Sequence, residues 1–287
     1  MLPPVIGVLF DGLAYGMLLF LLSVGLSVTL GMMNFINLAH CAFAMLGGYV
    51  TVTLVNRYGW PFFATLPVAF LAAALAAVVF ERILYRRLYK ATDLDQVLLT
   101  IGITFMSVAV AAYVFTTAQQ PIQLPGYLRG SIPFMGLDLA IYRLILIVIA
   151  LAITVALVAG LEYTRFGARV RAAVDNERMA RGLGIDVDRT FAATFALGSG
   201  LAGLGGALAI EIVGLDPSFA FTYLVYVLIV VSVGGLGSIA GSFAAAAVLG
   251  VSDIAGKYYV PQLGAFLIYL VMISLLMWRP AGLFGRR

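Results

Sequence analysis

The amino-acid sequence predicts an all-α fold, a polytopic transmembrane helical bundle of about eight to nine spans with Gly-rich broken segments. Two observations support this class. Of the 287 residues, 63% are hydrophobic, and the mean hydropathy of +1.08 is typical of membrane spans rather than of a water-facing surface. The apolar residues are also grouped into runs of about 20, the length that crosses a bilayer. We therefore expect residues 1–287 to form a single transmembrane domain.

Nine apolar runs define the predicted spans, and each should be helical because a backbone in lipid must satisfy its own hydrogen bonds. The runs cover residues 5–30, 36–55, 61–84, 97–116, 141–160, 190–210, 223–234, 239–254 and 263–278. Only the sequence GMMNFIN separates the first run from the second. The seventh and eighth runs are short and are separated by GGLGS, so they predict either two short spans or one broken, re-entrant pair.

The basic residues predict the orientation of the spans. Of the 17 Lys and Arg residues, 13 fall on one side of a nine-span arrangement, which the positive-inside rule assigns to the cytoplasm. The N-terminus is then predicted outside and the C-terminus in the cytoplasm. No basic residue precedes Arg57, so the first run is interpreted as a retained span rather than a signal peptide. The same distribution explains the net charge of +4 without a nucleic-acid partner.

The predicted cytoplasmic loop at residues 161–189 carries six arginines between apolar runs. Its central segment is predicted to form a short helix, with Asp175 as the N-cap and with Gly182 and Gly184 ending the last turn. A helix of about two turns is marginal alone in water, so we expect it to dock against a partner; the alternative is a solvated positive-inside loop. The segment comprises Asp175, Asn176, Glu177, Arg178, Met179, Ala180, Arg181, Gly182, Leu183 and Gly184.

A motif in the sixth run resembles a dinucleotide-binding fingerprint. The sequence GSGLAG at 198–203 matches GxGxxG, but it lies in the middle of an apolar run with no preceding strand. Close helix packing is the better interpretation, because Gly198, Ala202 and Gly206 recur four residues apart on one helix face.

The sequence predicts no cofactor, metal site or catalytic group in this chain. Lys257 follows a glycine as in a phosphate loop, but Tyr258 stands where a Ser or Thr would bind magnesium. Asp253 lies four residues before Lys257 and is expected to form a neutralised ion pair with it. A single Cys and a single His exclude a disulfide framework and a multi-histidine metal site. An intramembrane hydrolase would have only His40 and a distant serine, without a supporting motif.

Two segments and the C-terminal tail resemble the signature regions of the inner-membrane permeases of branched-chain amino acid ABC importers. They are INLAHCAFAMLGGYV at 36–50, RVRAAVDNERMARGLGIDVDRTFAATFALGSGLAGLGGAL at 169–208 and RPAGLFG at 279–285. The resemblance covers essentially the full length and is closer to the shorter, H-type subunit of the two-permease pair. The chain departs from the family pattern at Cys41 and Ala42, where a glycine and an acidic residue are usual.

This resemblance implies a permease subunit of an ATP-driven importer in the inner membrane, and not an enzyme. The implied partners are a second homologous permease, two cytosolic ABC ATPases that use the ATP, a periplasmic substrate-binding protein and membrane lipid. The implied substrate is a branched-chain or related amino acid, and amides, urea or small organic acids are alternatives. An ion-coupled secondary transporter is a further alternative, for which Asp11 is the only acidic candidate well inside the first run.

The resemblance implies a role for the arginine-rich loop, and polarity at membrane depth indicates a second group of candidate residues. The segment 175–184 would be the coupling helix that docks into the ATPases, with Met179 and Leu183 as candidate apolar contacts and Glu177, Arg178 and Arg181 on its exposed face. Polar residues at membrane depth are costly and often functional. Those at the break between the first two runs are interpreted as helix caps or packing residues or, alternatively, as part of a translocation pathway. The pathway candidates are Asn34, Asn37, His40 and Ser199.

Overall fold

The computed structural model describes residues 2–33, 35–88, 91–134 and 137–285, and within these ranges the chain forms eleven α-helices. The helices are α1 (Leu2–Met33), α2 (His40–Tyr58), α3 (Phe62–Ile83), α4 (Asp93–Phe115), α5 (Ile141–Glu162), α6 (Arg165–Asp175), α7 (Glu177–Gly182), α8 (Val187–Val213), α9 (Phe219–Gly234), α10 (Ile239–Tyr259) and α11 (Gly264–Trp278). Short 3-10 turns occupy Tyr85–Arg87 and Gly126–Leu128. The predicted polytopic helical bundle is confirmed.

The apolar helices differ in length. Six helices of the described ranges are long and apolar enough to cross a membrane, namely α1, α3, α4, α5, α8 and α10. Two more, α9 and α11, are apolar but shorter, and α2 has 19 residues. The seventh and eighth predicted runs are separate helices that pack together, because a Cβ added at Gly234 would lie 2.6 Å from the carbonyl carbon of Gly241.

The helix α8 lies at the centre of the bundle and packs against α1, α2 and α3. A Cβ added at Gly198 would lie 2.7 Å from the carbonyl oxygen of Gly25 in α1, and one at Gly203 would lie 2.5 Å from a side chain of α3. At Gly206 it would overlap the backbone of α2, and Ala202 is fully buried. Small residues allow this close approach of membrane helices. The stripe expected on one face therefore packs against two neighbours, α1 at Gly198 and α2 at Gly206.

The connection between α1 and α2 runs back into the bundle. Although α1 ends at Met33, the ring of His40, the first residue of α2, lies against Leu22 and Gly25 of α1. The eleven residues of α1 that follow Leu22 correspond to about 16 Å of helix. Residues 35–39 therefore return alongside α1, and α2 begins inside the bundle rather than at its end.

A small β-hairpin, which the all-α prediction did not include, precedes α5. Its antiparallel strands are β1 (Ser131–Phe134) and β2 (Leu137–Ala140). The loop before the hairpin is attached to the bundle where the backbone N–H of Gln120 donates to the carbonyl oxygen of Leu215 at 2.7 Å. This side of the molecule is therefore covered by an ordered cap.

Candidate functional site

The arginine-rich segment between α5 and α8 folds as two short helices, α6 and α7. The prediction that Asp175 caps the short helix is wrong, because Asp175 is the last residue of α6. The cap is Asn176, whose Oδ1 accepts a hydrogen bond from the backbone N–H of Met179 at 2.9 Å. The extended backbone of Asn176 (φ −156°, ψ 95°) ends α6 and starts α7, so one residue separates the two helices.

The helix α6 was not predicted separately, although its pattern is present in the sequence. The hydroxyl oxygen of Thr164 caps it by accepting from the backbone N–H of Gly167 at 3.3 Å. Its buried residues Gly167, Val170 and Ala173 recur every three residues, which is the spacing of one helix face. Most of the remaining residues are exposed and four of them are charged, namely Arg165, Arg169, Arg171 and Asp175, so α6 is an amphipathic helix that rests on the end of the bundle.

A small apolar cluster joins α7 to its neighbours. Ala173 of α6, Ala180 of α7 and Val187 of α8 are buried together, and Ile185 and Phe191 pack against them. Only the side of α7 that carries Ala180 is covered. The segment is therefore docked on the bundle through small side chains, while its outer side is left open.

The outer side of α7 presents two large apolar side chains. Met179 is 64% exposed and Leu183 is 75% exposed, and they lie one helical turn apart. Gly184 adopts a left-handed backbone conformation (φ +81°) that ends the helix, and the backbone N–H of Ile185 then donates to the carbonyl oxygen of Ala180. These two side chains form an exposed apolar patch next to Arg178, the kind of feature that marks an interaction surface.

The charged residues of α7 are not equivalent. The guanidinium of Arg181 donates to Glu177 at 2.9 Å and to Asp188 at 2.6 Å, and Asp188 also accepts from Arg86. These bonds, first to Asp188 and then to Glu177, raise the pKa of Arg181 above its usual value. Arg181 lies on the exposed face as expected, with its side chain 46% exposed, but its guanidinium is engaged within the chain. Arg178 has no ion pair with any residue that the structure describes.

The second site is the buried break between α1 and α2. Its irregular backbone is stabilised by polar side chains of α4, as irregular backbone at membrane depth requires. Gln96 accepts from the backbone N–H of Ile36 at 3.1 Å and donates to the carbonyl oxygen of Leu88 at 3.2 Å. Thr104 donates to the carbonyl oxygen of Leu38 at 3.3 Å. The sequence analysis did not identify Gln96 and Thr104, because no local pattern relates Gln96 to the backbone of Ile36, which lies 60 residues earlier.

The predicted pathway residues lie around this break. His40 is fully buried and its Nε2 is 2.9 Å from the carbonyl oxygen of Leu22, while Asn37 bonds the backbone two residues further on. Three buried atoms of these residues have no hydrogen-bond partner in the described chain, namely Nδ2 of Asn37, Nδ1 of His40 and Oγ of Ser199. Asn34 lies outside the described residues. The three residues are packed in the interior, and no Ser–His hydrogen bond is formed among the described side chains.

Two acidic residues of the apolar helices, Asp11 and Asp253, are paired with basic ones. Asp11, the acidic candidate for ion coupling, forms an ion pair with Arg143 of α5. Asp253 is 1% exposed and pairs with Lys257 at 2.5 Å, as the sequence spacing indicated. Within the residues that the structure describes, no group of three or more His, Cys, Asp or Glu side chains could hold a metal ion.

Comparisons with known proteins agree with this architecture. A family model described as "Branched-chain amino acid transport system / permease component" matches residues 8–276. The chain is 27% identical to the high-affinity branched-chain amino acid transport system permease protein LivH of Escherichia coli K12, over 97% of this chain and 94% of LivH. It is 25% identical to the corresponding protein BraD of Pseudomonas aeruginosa, over 97% of this chain and 95% of BraD.

A second type of permease also matches. The chain is 26% identical to the permease protein LivM of Escherichia coli K12, over 93% of this chain but only 68% of LivM. The nearly complete coverage of LivH agrees with the resemblance to the shorter, H-type subunit. No solved structure matches the chain. The family model covers nearly the whole length, and the chain therefore belongs to the family of permease components of branched-chain amino acid transport systems.

Proposed function

We propose that this chain is the H-type permease subunit of an ATP-driven importer that carries branched-chain or related amino acids across the inner membrane. The observation that carries the proposal is the short helix α7, which is docked on the central helix α8 and presents an unpartnered apolar patch. The names of LivH and BraD support the substrate class. The transport itself requires no covalent chemistry in this chain.

The proposed complex contains this chain, a second permease, two cytosolic ABC ATPases and a periplasmic substrate-binding protein. The matches to both LivH and LivM support a pair of related but different permeases. ATP would be bound and hydrolysed by the ATPases, so no nucleotide contact is assigned to this chain.

The segment 175–184 is proposed as the coupling helix. Met179 and Leu183 would enter a groove of an ATPase, because two exposed apolar side chains one turn apart are the usual anchors of a helix in a groove. Since α8 packs against α1, α2 and α3, displacement of α7 would be transmitted to most of the bundle. ATP binding would then shift the population between outward-open and inward-open conformations.

The break between α1 and α2 is proposed as part of the translocation pathway. A buried polar atom without a partner costs free energy, so such atoms indicate another state in which they are satisfied. Asn37, His40 and Ser199 each contribute one such atom. Separation of α8 from α1 would expose these groups to a polar substrate or to water, whereas the packed arrangement closes the route.

The proposed function is tested by reconstitution. Permease pairs containing this chain, with their ATPases and binding protein, should take up radiolabelled leucine into proteoliposomes only when ATP is supplied to the ATPase side. The control replaces the catalytic ATPase with a hydrolysis-deficient variant, which should stop uptake. Uptake that persists without any ATPase subunit would instead support an ion-coupled carrier and contradict the proposal.

The proposed orientation is tested by cysteine labelling in a Cys41→Ala background. Gly126 and Met179 are both exposed and lie at opposite ends of the bundle, so a cysteine at either position should be reactive. With an impermeant maleimide added to intact cells, we expect Gly126→Cys to be labelled and Met179→Cys to be labelled only after lysis. The reverse pattern would invert the topology, and labelling of both from outside would contradict the nine-span arrangement.

A further inference from the structure

Three separate helical segments of the chain meet at one carboxylate, that of Asp188 in the first turn of α8. Its Oδ1 accepts from the guanidinium of Arg181 in α7 at 2.6 Å. Its Oδ2 accepts from the guanidinium of Arg86, which lies in the 3-10 turn after α3 and 102 residues earlier in the chain. Each oxygen of Asp188 therefore holds a different arginine, and each arginine comes from a different segment.

The carboxylate of Asp188 is free for this role because another residue caps the helix. Asp186 accepts from the backbone N–H of Arg189 at 3.0 Å and is the N-cap of α8. Glu177 accepts from Nε of Arg181 at 3.1 Å and from Nη2 at 2.9 Å, and because the same Nη2 also donates to Asp188, Glu177 fixes the direction of the guanidinium toward Asp188. Two arginines and two carboxylates share this network, so its formal charges cancel.

Each of the two arginines of the network belongs to a segment that packs against α8. Tyr85, next to Arg86, is fully buried and its ring centroid lies 5.0 Å from that of Phe195 in α8. On the other side, Ala180 of α7 is buried with Val187 of α8. The ion pairs therefore join segments that are already in contact through apolar side chains. They fix the orientation of α7 relative to α8 rather than its attachment to α8.

We propose that Asp188 is a positioning residue that links α7 to α8 and to the inner end of α3, so that a displacement of α7 moves both helices. The inference rests on the proposed function, in which α7 receives the motion of the ATPases. Solvent-exposed ion pairs contribute little to the stability of a fold, and the side chains here are 34% to 51% exposed. The role of the network is consequently to fix the geometry of α7. Its loss should uncouple ATP hydrolysis from import without unfolding the chain.

The test is the number of substrate molecules imported per ATP hydrolysed by the complete complex in proteoliposomes. For Asp188→Asn we expect normal co-purification of the ATPases and continued ATP hydrolysis, with import per ATP lower by about fivefold or more, the range of typical coupling energies. Asp188→Glu keeps the charge and should restore most of the coupling. Arg86→Gln removes only the link to α3 and should give an intermediate loss.

The matched control is Asp186→Ser, which removes the local ion pair with Arg189 but keeps a capping oxygen, and it should behave as wild type. Wild-type import per ATP in Asp188→Asn would overturn the inference while leaving α7 as the docking helix. Loss of ATPase binding or of folded protein that Asp188→Glu does not restore would also overturn it, since the role would then be structural. Failure of the proposed function is recognised separately, because wild-type complexes would then show no ATP-dependent import.

Discussion

Truncation of Met179 and Leu183 together to alanine is expected to abolish ATP-dependent uptake while the permease remains inserted and folded. Both side chains are more than half exposed, so their removal leaves no cavity in the chain itself. If they anchor α7 in an ATPase groove, each truncation removes a buried contact of the interface. Interface anchors cost about 2 kcal/mol or more when truncated, which corresponds to a factor of about 30 in affinity.

Co-purification of the ATPases with the tagged permease and uptake in vesicles measure this effect. The matched control is the double variant Leu71→Ala/Leu75→Ala. These two leucines are similarly exposed and lie one turn apart within the apolar helix α3. The control should retain ATPase binding. If the Met179→Ala/Leu183→Ala variant also binds the ATPases and transports normally, then α7 is only a positively charged anchor, and the proposed coupling role is wrong.

The charges of α7 should contribute differently from its apolar patch. Arg178 has no ion pair among the described residues, whereas Arg181 is held by Glu177 and Asp188. A change at Arg178 therefore acts on a partner, but a change at Arg181 also alters how α7 is oriented on α8. Helix periodicity alone places both arginines on the polar side of α7, and only the structure separates their roles.

The features that were predicted correctly depend on interactions between residues that are close together in the sequence. Apolar runs specify helices in lipid without any knowledge of their neighbours, and Gly182 and Gly184 specify where α7 ends. The cap of α7 was misplaced by one residue, at Asp175 instead of Asn176, because both side chains can accept the capping hydrogen bond. The choice between them depends on how far α6 extends, which is decided by the burial of its small residues on the bundle.

The features that could not be predicted depend on contacts between distant residues. The return of residues 35–39 into the bundle is stabilised by Gln96 and Thr104 of α4, and the sequence contains no local sign of either bond. Likewise, small residues four apart indicate close packing but not the number of partners. In the structure Gly198 contacts α1 and Gly206 contacts α2, because α8 passes between them.

The largest effect on stability is expected for Gly206→Val. A Cβ at this position would overlap the carbonyl oxygen of Ala44, which is backbone of α2 and cannot rotate away as a side chain would. The two helices must separate, and overpacking of this kind costs about 3 kcal/mol or more, at the upper end of the usual range. Ala202→Leu, at a fully buried position of the same helix, should cost about 1–3 kcal/mol.

This loss is measured by thermal unfolding of the purified permease in detergent, with the monodispersity of the sample as the readout. The control is Gly102→Val in α4, where an added Cβ meets no atom within 4 Å, so the helix backbone gains the same branched side chain without a clash. If Gly206→Val unfolds at the same temperature as Gly102→Val, α8 and α2 are not in backbone contact. In that case α8 could not transmit a displacement of α7 directly to α2, and the route from the ATPase surface to the buried break would have to run through α1 or α3.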